Sequence, residues 1–207
     1  MSGVSKAIVQ PLLSWYDAGH RDLPWRSEPA PYRVWVSEIM LQQTRVEAVR
    51  GYFSRWMNAL PDIPALAAAD EAVYTKLWEG LGYYSRVRNL HRAAVLLCEE
   101  YGGELPADYD RLLALPGVGE YTAGAVASIA FGLPIPAVDG NVLRVAARLD
   151  NDFTPITDAK FKKQTRERFA ALMPSDRPGD LNQSLMELGA TVCLPNGAPR
   201  CDDCPIQ

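Results

Sequence analysis

The sequence predicts an all-α fold, and three observations carry that expectation. First, apolar residues recur at helical spacing. Val46, Val49, Phe53, Trp56 and Leu60 step along one face, and Leu90, Ala94, Leu97 and Tyr101 repeat the pattern. Phe161, Thr165, Phe169 and Leu172 mark a later helix, and Leu181, Leu185 and Leu188 another. Second, the alternating apolar–polar runs of half-buried strands are almost absent. Third, prolines and glycines fall mostly between the periodic runs, at Pro61, Pro64, Gly102, Gly103, Pro106, Pro116, Pro134, Pro136, Pro174 and Pro178. That is the punctuation of a bundle of short helices. A break near 133–136 divides the chain into two helical lobes.

A length of 207 residues with 48% hydrophobic content suits one large or two small domains with a real core. By the formal charge of −4 and pI of about 5.3 alone, nucleic acid is not the favoured partner, though net charge says little about how charge is distributed. No run of 18 apolar residues is present, so no membrane span is expected. The opening MSGVSKAIVQ lacks the apolar core of a signal peptide. An intracellular, cytoplasmic location is expected, and there the four cysteines are expected to be ligands or core residues rather than disulfides.

The first chemically interesting element is PYRVWVSEIMLQQT (31–44), a predicted helix with Pro31 in its first turn. Glu38 sits among Val34, Trp35, Val36, Ile39, Met40 and Leu41. A carboxyl with apolar neighbours loses hydration, which raises its pKa and suits it to general-acid work. The plainer alternative is a surface Glu on an amphipathic helix. Gln42 lies four residues on, on the same predicted face. Next, YYSRVRNLHR (83–92) carries Arg86, Arg88 and Arg92 without an acid. It is the best local basic patch in the chain and a candidate phosphate contact, or else a solvated helix face.

DYDRLLALPGVGEYTAGAVASIAFG (108–132) reads as helix, tight turn, helix. Gly117 and Gly119 mark a sharp turn where another chain approaches closely. The following helix presents free N–H groups and its positive end, to which an anion binds. The stretch is either a simple αα-hairpin or a helix–hairpin–helix that grips a nucleic-acid phosphate through its backbone. Such a grip needs little net positive charge. In PIPAVDGNVLRVAARL (134–149), Asp139 ends an extended stretch and opens a helix, a favoured N-cap position. Helix N–H groups are expected to keep it ionised. One carboxyl able to donate a proton and one held negative is the pair required to cleave a glycosidic bond through an oxocarbenium-like state.

Together, SEIMLQQT, WEGLGYYSRVRNLH, LPGVGEYT and VDGNVLRV resemble the helix–hairpin–helix base-excision DNA glycosylases, and within them the adenine DNA glycosylases of the MutY type. The resemblance covers nearly the whole chain. It implies an all-α helix–hairpin–helix DNA glycosylase fold of two helical lobes with the active-site cleft between them. Residues 21–133 would form a six-helix barrel lobe, and residues 1–20 with 134–207 the second lobe. The implied activity is hydrolytic removal of adenine mispaired with 8-oxoguanine or guanine. The implied partner is double-stranded DNA carrying such mispairs, bound by a nucleoid-associated monomer.

By the same resemblance, Glu38 is the general acid that protonates adenine N7, Asp139 stabilises the cationic sugar, and Asn141 supports Asp139. Tyr121 stands where related bifunctional enzymes carry a Schiff-base lysine. The chain has only Lys6, Lys76, Lys160, Lys162 and Lys163, none near the hairpin. Water is then the final nucleophile and strand cleavage is not expected; a buried structural tyrosine is the alternative. Arg21, Leu23, Trp25 and Arg26 match the adenine pocket. Gln43 and Tyr83 match residues that enter the duplex when the base is extruded. The DNA-contacting set is Gln42, Gln43, Thr44, Tyr83, Arg86 and Arg88, with hairpin residues Gly117, Val118 and Gly119.

Cys193, Cys201 and Cys204 form C-x7-C-x2-C. In the family four cysteines hold a 4Fe–4S cluster; here a fourth ligand is missing, so the cluster is expected to be absent or incomplete. By the resemblance, the chain is expected to be a catalytic core truncated at its C-terminal end and to lack the family's C-terminal Nudix-like domain. A zinc knuckle completed by a carboxylate is the alternative for the three cysteines. Cys98, among apolar residues, reads as a core residue. Two rival functions are a bifunctional glycosylase–lyase of the endonuclease III type and a catalytically inactive DNA-binding fragment.

Overall fold

In the computed structural model, which describes residues 5–207, those residues form eleven α-helices, two short 3-10 turns and no strand. The helices are α1 (Val9–Gly19), α2 (Pro31–Leu41), α3 (Val46–Ala59), α4 (Ile63–Ala67), α5 (Glu71–Trp78) and α6 (Ser85–Tyr101). They continue with α7 (Tyr109–Leu113), α8 (Glu120–Ile129), α9 (Gly140–Leu149), α10 (Ala159–Ala170) and α11 (Pro178–Thr191). The chain folds as two units. One is Asp22–Val126; the other comprises the described residues up to Arg21 together with Ala127–Gln207.

The starts of these helices are written in aspartate. Asp62, Asp108, Asp139 and Asp158 each accept a hydrogen bond from the backbone N–H three residues on, at 2.8, 2.9, 2.8 and 2.8 Å. Each bond satisfies a donor that the helix itself leaves unpaired. Helix α6 ends at Gly102 in the left-handed conformation (φ 65°), with its N–H returned to Leu97.

In the unit Asp22–Val126, the face predicted for α3 is the buried one: Val49, Phe53, Trp56 and Leu60 are all in the core. Trp56 packs edge-on to Trp78 at 5.6 Å between ring centroids. Its indole N–H donates to the Tyr32 hydroxyl at 3.0 Å, which donates to the Leu60 carbonyl at 2.9 Å. Burial pushes the Tyr32 pKa up. Helix α2 lies inside this unit with Tyr32 and every residue from Val34 to Met40 buried.

In the other unit, α1, α9 and α11 enclose a core of Leu12, Leu13, Val142, Val145, Leu181 and Leu185 among others, with Phe169 from α10. The extended stretch that leads to α9 is pinned by one side chain. The Asn182 amide donates to Ser128 Oγ at 2.7 Å and to the Ile135 carbonyl at 2.9 Å, and accepts from the Ala137 N–H at 3.0 Å. Beside it, Gly179 lets α11 meet the end of α8 backbone to backbone. A Cβ there would lie 2.8 Å from Ile129 Cα and 2.8 Å from the Ser128 carbonyl oxygen.

Because neither of those backbone atoms has freedom to move, Gly179→Ala is expected to destabilise the protein by about 1–3 kcal/mol, the usual cost of overpacking. Gly140, where a Cβ meets nothing within 4 Å, is the control. Gly140→Ala should be neutral or stabilising by about 0.4–1 kcal/mol. Urea unfolding of both variants checks the contrast.

Candidate active site

Glu38 is buried, 6% exposed, on the inner side of α2. Its carboxyl is not left bare: the Tyr121 hydroxyl, from the first turn of α8, donates to Oε2 at 2.5 Å. One turn further along, Gln42 Nε2 donates to Thr122 Oγ1 at 3.2 Å. Two adjacent side chains at the start of α8 therefore hold the C-terminal part of α2. Helix α2 stops earlier than predicted. Gln42 is its C-cap with ψ 113°, so it is reached by a turn rather than by the helical face. The turn is closed by Thr44, whose N–H donates to the Leu41 carbonyl at 3.2 Å.

Among the described residues, three non-glycines have left-handed backbones: Gln43 (φ 56°), Tyr83 (φ 46°) and Asn151 (φ 52°). Gln43 is exposed, and Tyr83 is 63% exposed despite its large ring. Two of the three strained positions are thus the two residues expected to enter a duplex, and strain of this kind concentrates at functional sites.

Of the basic residues, Arg88 is exposed. Arg86 is not available in the way the sequence suggested. Its guanidinium is half-buried and donates to the carbonyls of Ile39 (2.9 Å), Gln42 (2.5 Å) and Leu81 (2.9 Å). A group engaged by its own chain in this way has fewer donors to offer a phosphate. It also lines a cavity of about 230 Å³ together with Trp35, Gln42, Asn89 and Gly117.

In the hairpin, Gly117 is left-handed (φ 77°), and a Cβ there would sit 2.7 Å from Asn89 Cβ. Gly119 has open space around it and is exposed. Val118 differs from the other two. Its side chain is buried and its N–H donates to the Leu115 carbonyl at 3.1 Å. The turn therefore uses Val118 to anchor itself and leaves the glycines at the surface.

In the unit that contains α9, Asp139 caps that helix as the sequence suggested. Oδ1 accepts from Val142 N at 2.8 Å and Oδ2 from Asn141 Nδ2 at 2.7 Å. The expected stabilisation by helix N–H groups is present but is outweighed. Burial pushes the Asp139 pKa above its ordinary value, opposed by the bonds from Val142 and Asn141 and by the charge of Arg144. Asn141 is itself held, since Arg144 Nη2 donates to its Oδ1 at 2.8 Å. Gly189 leaves room for it: a Cβ there would lie 2.5 Å from Asn141 Cβ. Arg144 also donates to the carbonyls of Gly189 (2.7 Å) and Cys193 (2.9 Å). Sequence reasoning missed Arg144, because an arginine on an amphipathic helix reads as surface charge.

The residues matched to an adenine pocket separate by environment. Leu23 and Trp25 are buried, with Trp25 edge-on to Phe53 at 5.5 Å. Arg26 is half-buried. Arg21 forms a bidentate pair with buried Glu187, at 2.7 and 2.9 Å.

Cys193, Cys201 and Cys204 line one cavity of about 300 Å³ with Arg148, Arg200 and Val192. Arg148 Nη1 donates to Cys193 Sγ at 3.2 Å, and burial pushes the Cys204 thiol up. Among the described residues no three His, Cys, Asp or Glu side chains are gathered closely enough to hold a metal ion. By residue type alone the three cysteines match three of the four thiolates a 4Fe–4S cluster takes. The remaining cysteine, Cys98, is half-buried on α6, in the other unit.

Comparisons with known proteins identify the family. A family model described as "HhH-GPD superfamily base excision DNA repair protein" matches residues 36–173. A relative named adenine DNA glycosylase from Mus musculus is 48% identical over 205 residues, covering 95% of this chain and 40% of the relative. One from Homo sapiens is 46% identical (95% and 37%), and one from Mycolicibacterium smegmatis 44% identical (95% and 66%). The chain thus spans less than half the length of the mammalian relatives. Among solved structures, a thermostable thymine-DNA glycosylase superposes with a TM-score of 0.85 at 27% identity, covering 97% of this chain and 92% of that one. Endonuclease III trapped as a covalent intermediate with DNA superposes with a TM-score of 0.79 at 25% identity, covering 98% and 93%. With two-thirds of its residues matched by the family model and a hairpin leading into α8, the chain belongs to the HhH-GPD superfamily of base excision DNA repair proteins.

Proposed function

We propose that the chain is a monofunctional adenine DNA glycosylase that hydrolyses the N-glycosidic bond of adenine opposite 8-oxoguanine or guanine, acting as a monomer on intracellular double-stranded DNA. The observation that carries this is the buried Glu38 carboxyl bonded to the Tyr121 hydroxyl at 2.5 Å. A desolvated carboxyl is suited to donate a proton to a leaving purine. A tyrosine beside it offers no amine for a Schiff base. The relatives' shared name, adenine DNA glycosylase, supports the substrate.

In this reading Glu38 protonates N7, and the departing base leaves a sugar cation. Asp139, held by Asn141 and by the Val142 N–H, stabilises that cation. Water completes the hydrolysis. The deciding assay uses an A:8-oxoguanine duplex, worked up with and without alkali. The expected product is an intact abasic strand that breaks only in alkali; prompt nicking would favour a lyase. Glu38→Gln in the same assay should lose about 10²–10⁴-fold in rate, the usual contribution of general acid catalysis, while still binding duplex. Absence of excision by the unsubstituted chain would favour a DNA-binding fragment.

The Asp139 anion gives the proposal a pH signature. Its folded pKa lies above the unperturbed 3.8. Excision should therefore fall as pH drops through that raised value, earlier than an exposed aspartate would allow. The sign for stability is opposite. The folded state binds this proton more tightly than the unfolded one, so ionised Asp139 costs stability at neutral pH, and that cost disappears as pH falls through the raised pKa. Asp139→Asn keeps the cap oxygen, removes the charge and sets an amide NH2 against that of Asn141. It should abolish excision, and its stability relative to the parent should be higher at about pH 7 than at about pH 4 in urea unfolding.

For the cysteines, the expectation is that the three thiols of Cys193, Cys201 and Cys204 do not by themselves retain an air-stable 4Fe–4S cluster, which takes four thiolates. Iron and sulfide analysis after anaerobic reconstitution of the 207-residue chain checks this. Four irons per chain, resistant to air, would require a further ligand.

A further inference from the structure

Arg86 is the second residue of α6, and its single guanidinium touches two loops. Nη1 donates to the carbonyls of Ile39 (2.9 Å), Met40 (3.1 Å) and Gln42 (2.5 Å), where α2 ends. Nη2 donates to the carbonyls of Leu81 (2.9 Å) and Gly82 (3.3 Å), and to Thr44 Oγ1 at 3.4 Å. The guanidinium carbon lies 5.2 Å from the Trp78 ring centroid and 5.6 Å from that of Tyr83. The residues on both sides of Gln43, and the two that precede Tyr83, are therefore tied to one rigid planar group. Gln43 and Tyr83 are themselves exposed and left-handed, a conformation that persists only when the surroundings over-determine it.

We propose that Arg86 is a positioning residue that holds Gln43 and Tyr83 as a rigid pair, set for entry into the duplex before DNA arrives. This rests on the reading that these two residues enter the stack. Base extrusion costs lost pairing and stacking, and a wedge that had to order itself first would add to that cost. The planar fork is the reason for arginine here. Its two Nη groups, held at fixed angles in one plane, reach both loops at once, whereas a lysine ammonium is a point charge on a flexible stem. A direct phosphate contact is the competing role. Both Nη atoms are already engaged, and Nε is buried without a partner inside the protein.

The test compares Arg86→Lys, Arg86→Gln and the double variant Gln43→Ala/Tyr83→Ala. The probe is a duplex with 2-aminopurine in place of adenine opposite 8-oxoguanine, whose fluorescence rises on extrusion. A second duplex carries a tetrahydrofuran abasic analogue, which has no base to extrude. Both Arg86 variants are expected to slow extrusion on the order of 10²-fold, the cost of a small misplacement, with lysine no better than glutamine. Binding to the abasic duplex should change little.

Retained extrusion in Arg86→Lys, or equal loss of binding to the abasic duplex, would overturn the proposal in favour of a charge contact. Normal extrusion by the double variant would instead remove the wedge reading itself, independently of Arg86. Should either Arg86 variant fail to fold, the unsubstituted protein decides. Separate, slowly exchanging Arg86 Nη resonances in the DNA-free protein support a locked fork, and one averaged signal overturns it.

Discussion

Helix α2 is buried almost all round, and that one constraint dictates most of what surrounds it. Every residue from Val34 to Met40 is out of solvent. A helix in that position cannot leave its acid or its last carbonyls to water, because an unpaired buried polar group costs about 1–3 kcal/mol. The partners must come from elsewhere in the chain. Tyr121 supplies one for Glu38, Thr122 one for Gln42, and Arg86 supplies donors for the carbonyls of Ile39, Met40 and Gln42. The same burial that desolvates the acid thus fixes the start of the hairpin helix and the first turn of α6 around it.

A similar economy operates around Asp139. Its capping role and its proposed chemical role use different oxygens: Oδ1 holds the helix N–H and Oδ2 meets Asn141. Arg144 then fixes which end of the Asn141 amide faces the carboxylate, because its guanidinium occupies the oxygen. The same arginine reaches the Cys193 carbonyl. The cysteine segment and the Asp139 carboxylate are therefore joined through two side chains, and a change in one has a short route to the other.

Backbone conformation supplies the remaining specialisation. Gly117 is required by its positive φ and by the nearness of Asn89, whereas Gly119 is open. Gln43 and Tyr83 adopt a glycine-like conformation without being glycine. Both side chains stand at the surface despite the strain, Tyr83 with 63% of its area exposed.

The helical class, the aspartate-capped start of α9, the hairpin and the faces that become core were legible in the sequence. All are local: periodicity, caps and turn residues act over a few positions. The buried setting of Glu38 was legible for the same reason, since its apolar neighbours surround it in sequence. What the chain alone did not disclose depends on residues distant in sequence. Arg86 reads as part of a basic patch until the ends of α2 and the loop before α6 converge on it, 47 positions from Ile39. The pairing of Arg21 Nε and Nη2 with Glu187, 166 positions away, is likewise invisible in the sequence. The direction of the Asp139 pKa turned on how deeply the capped carboxylate is buried. Local chemistry determined which elements form, and only tertiary packing decided which of their polar groups remain free to act on something else.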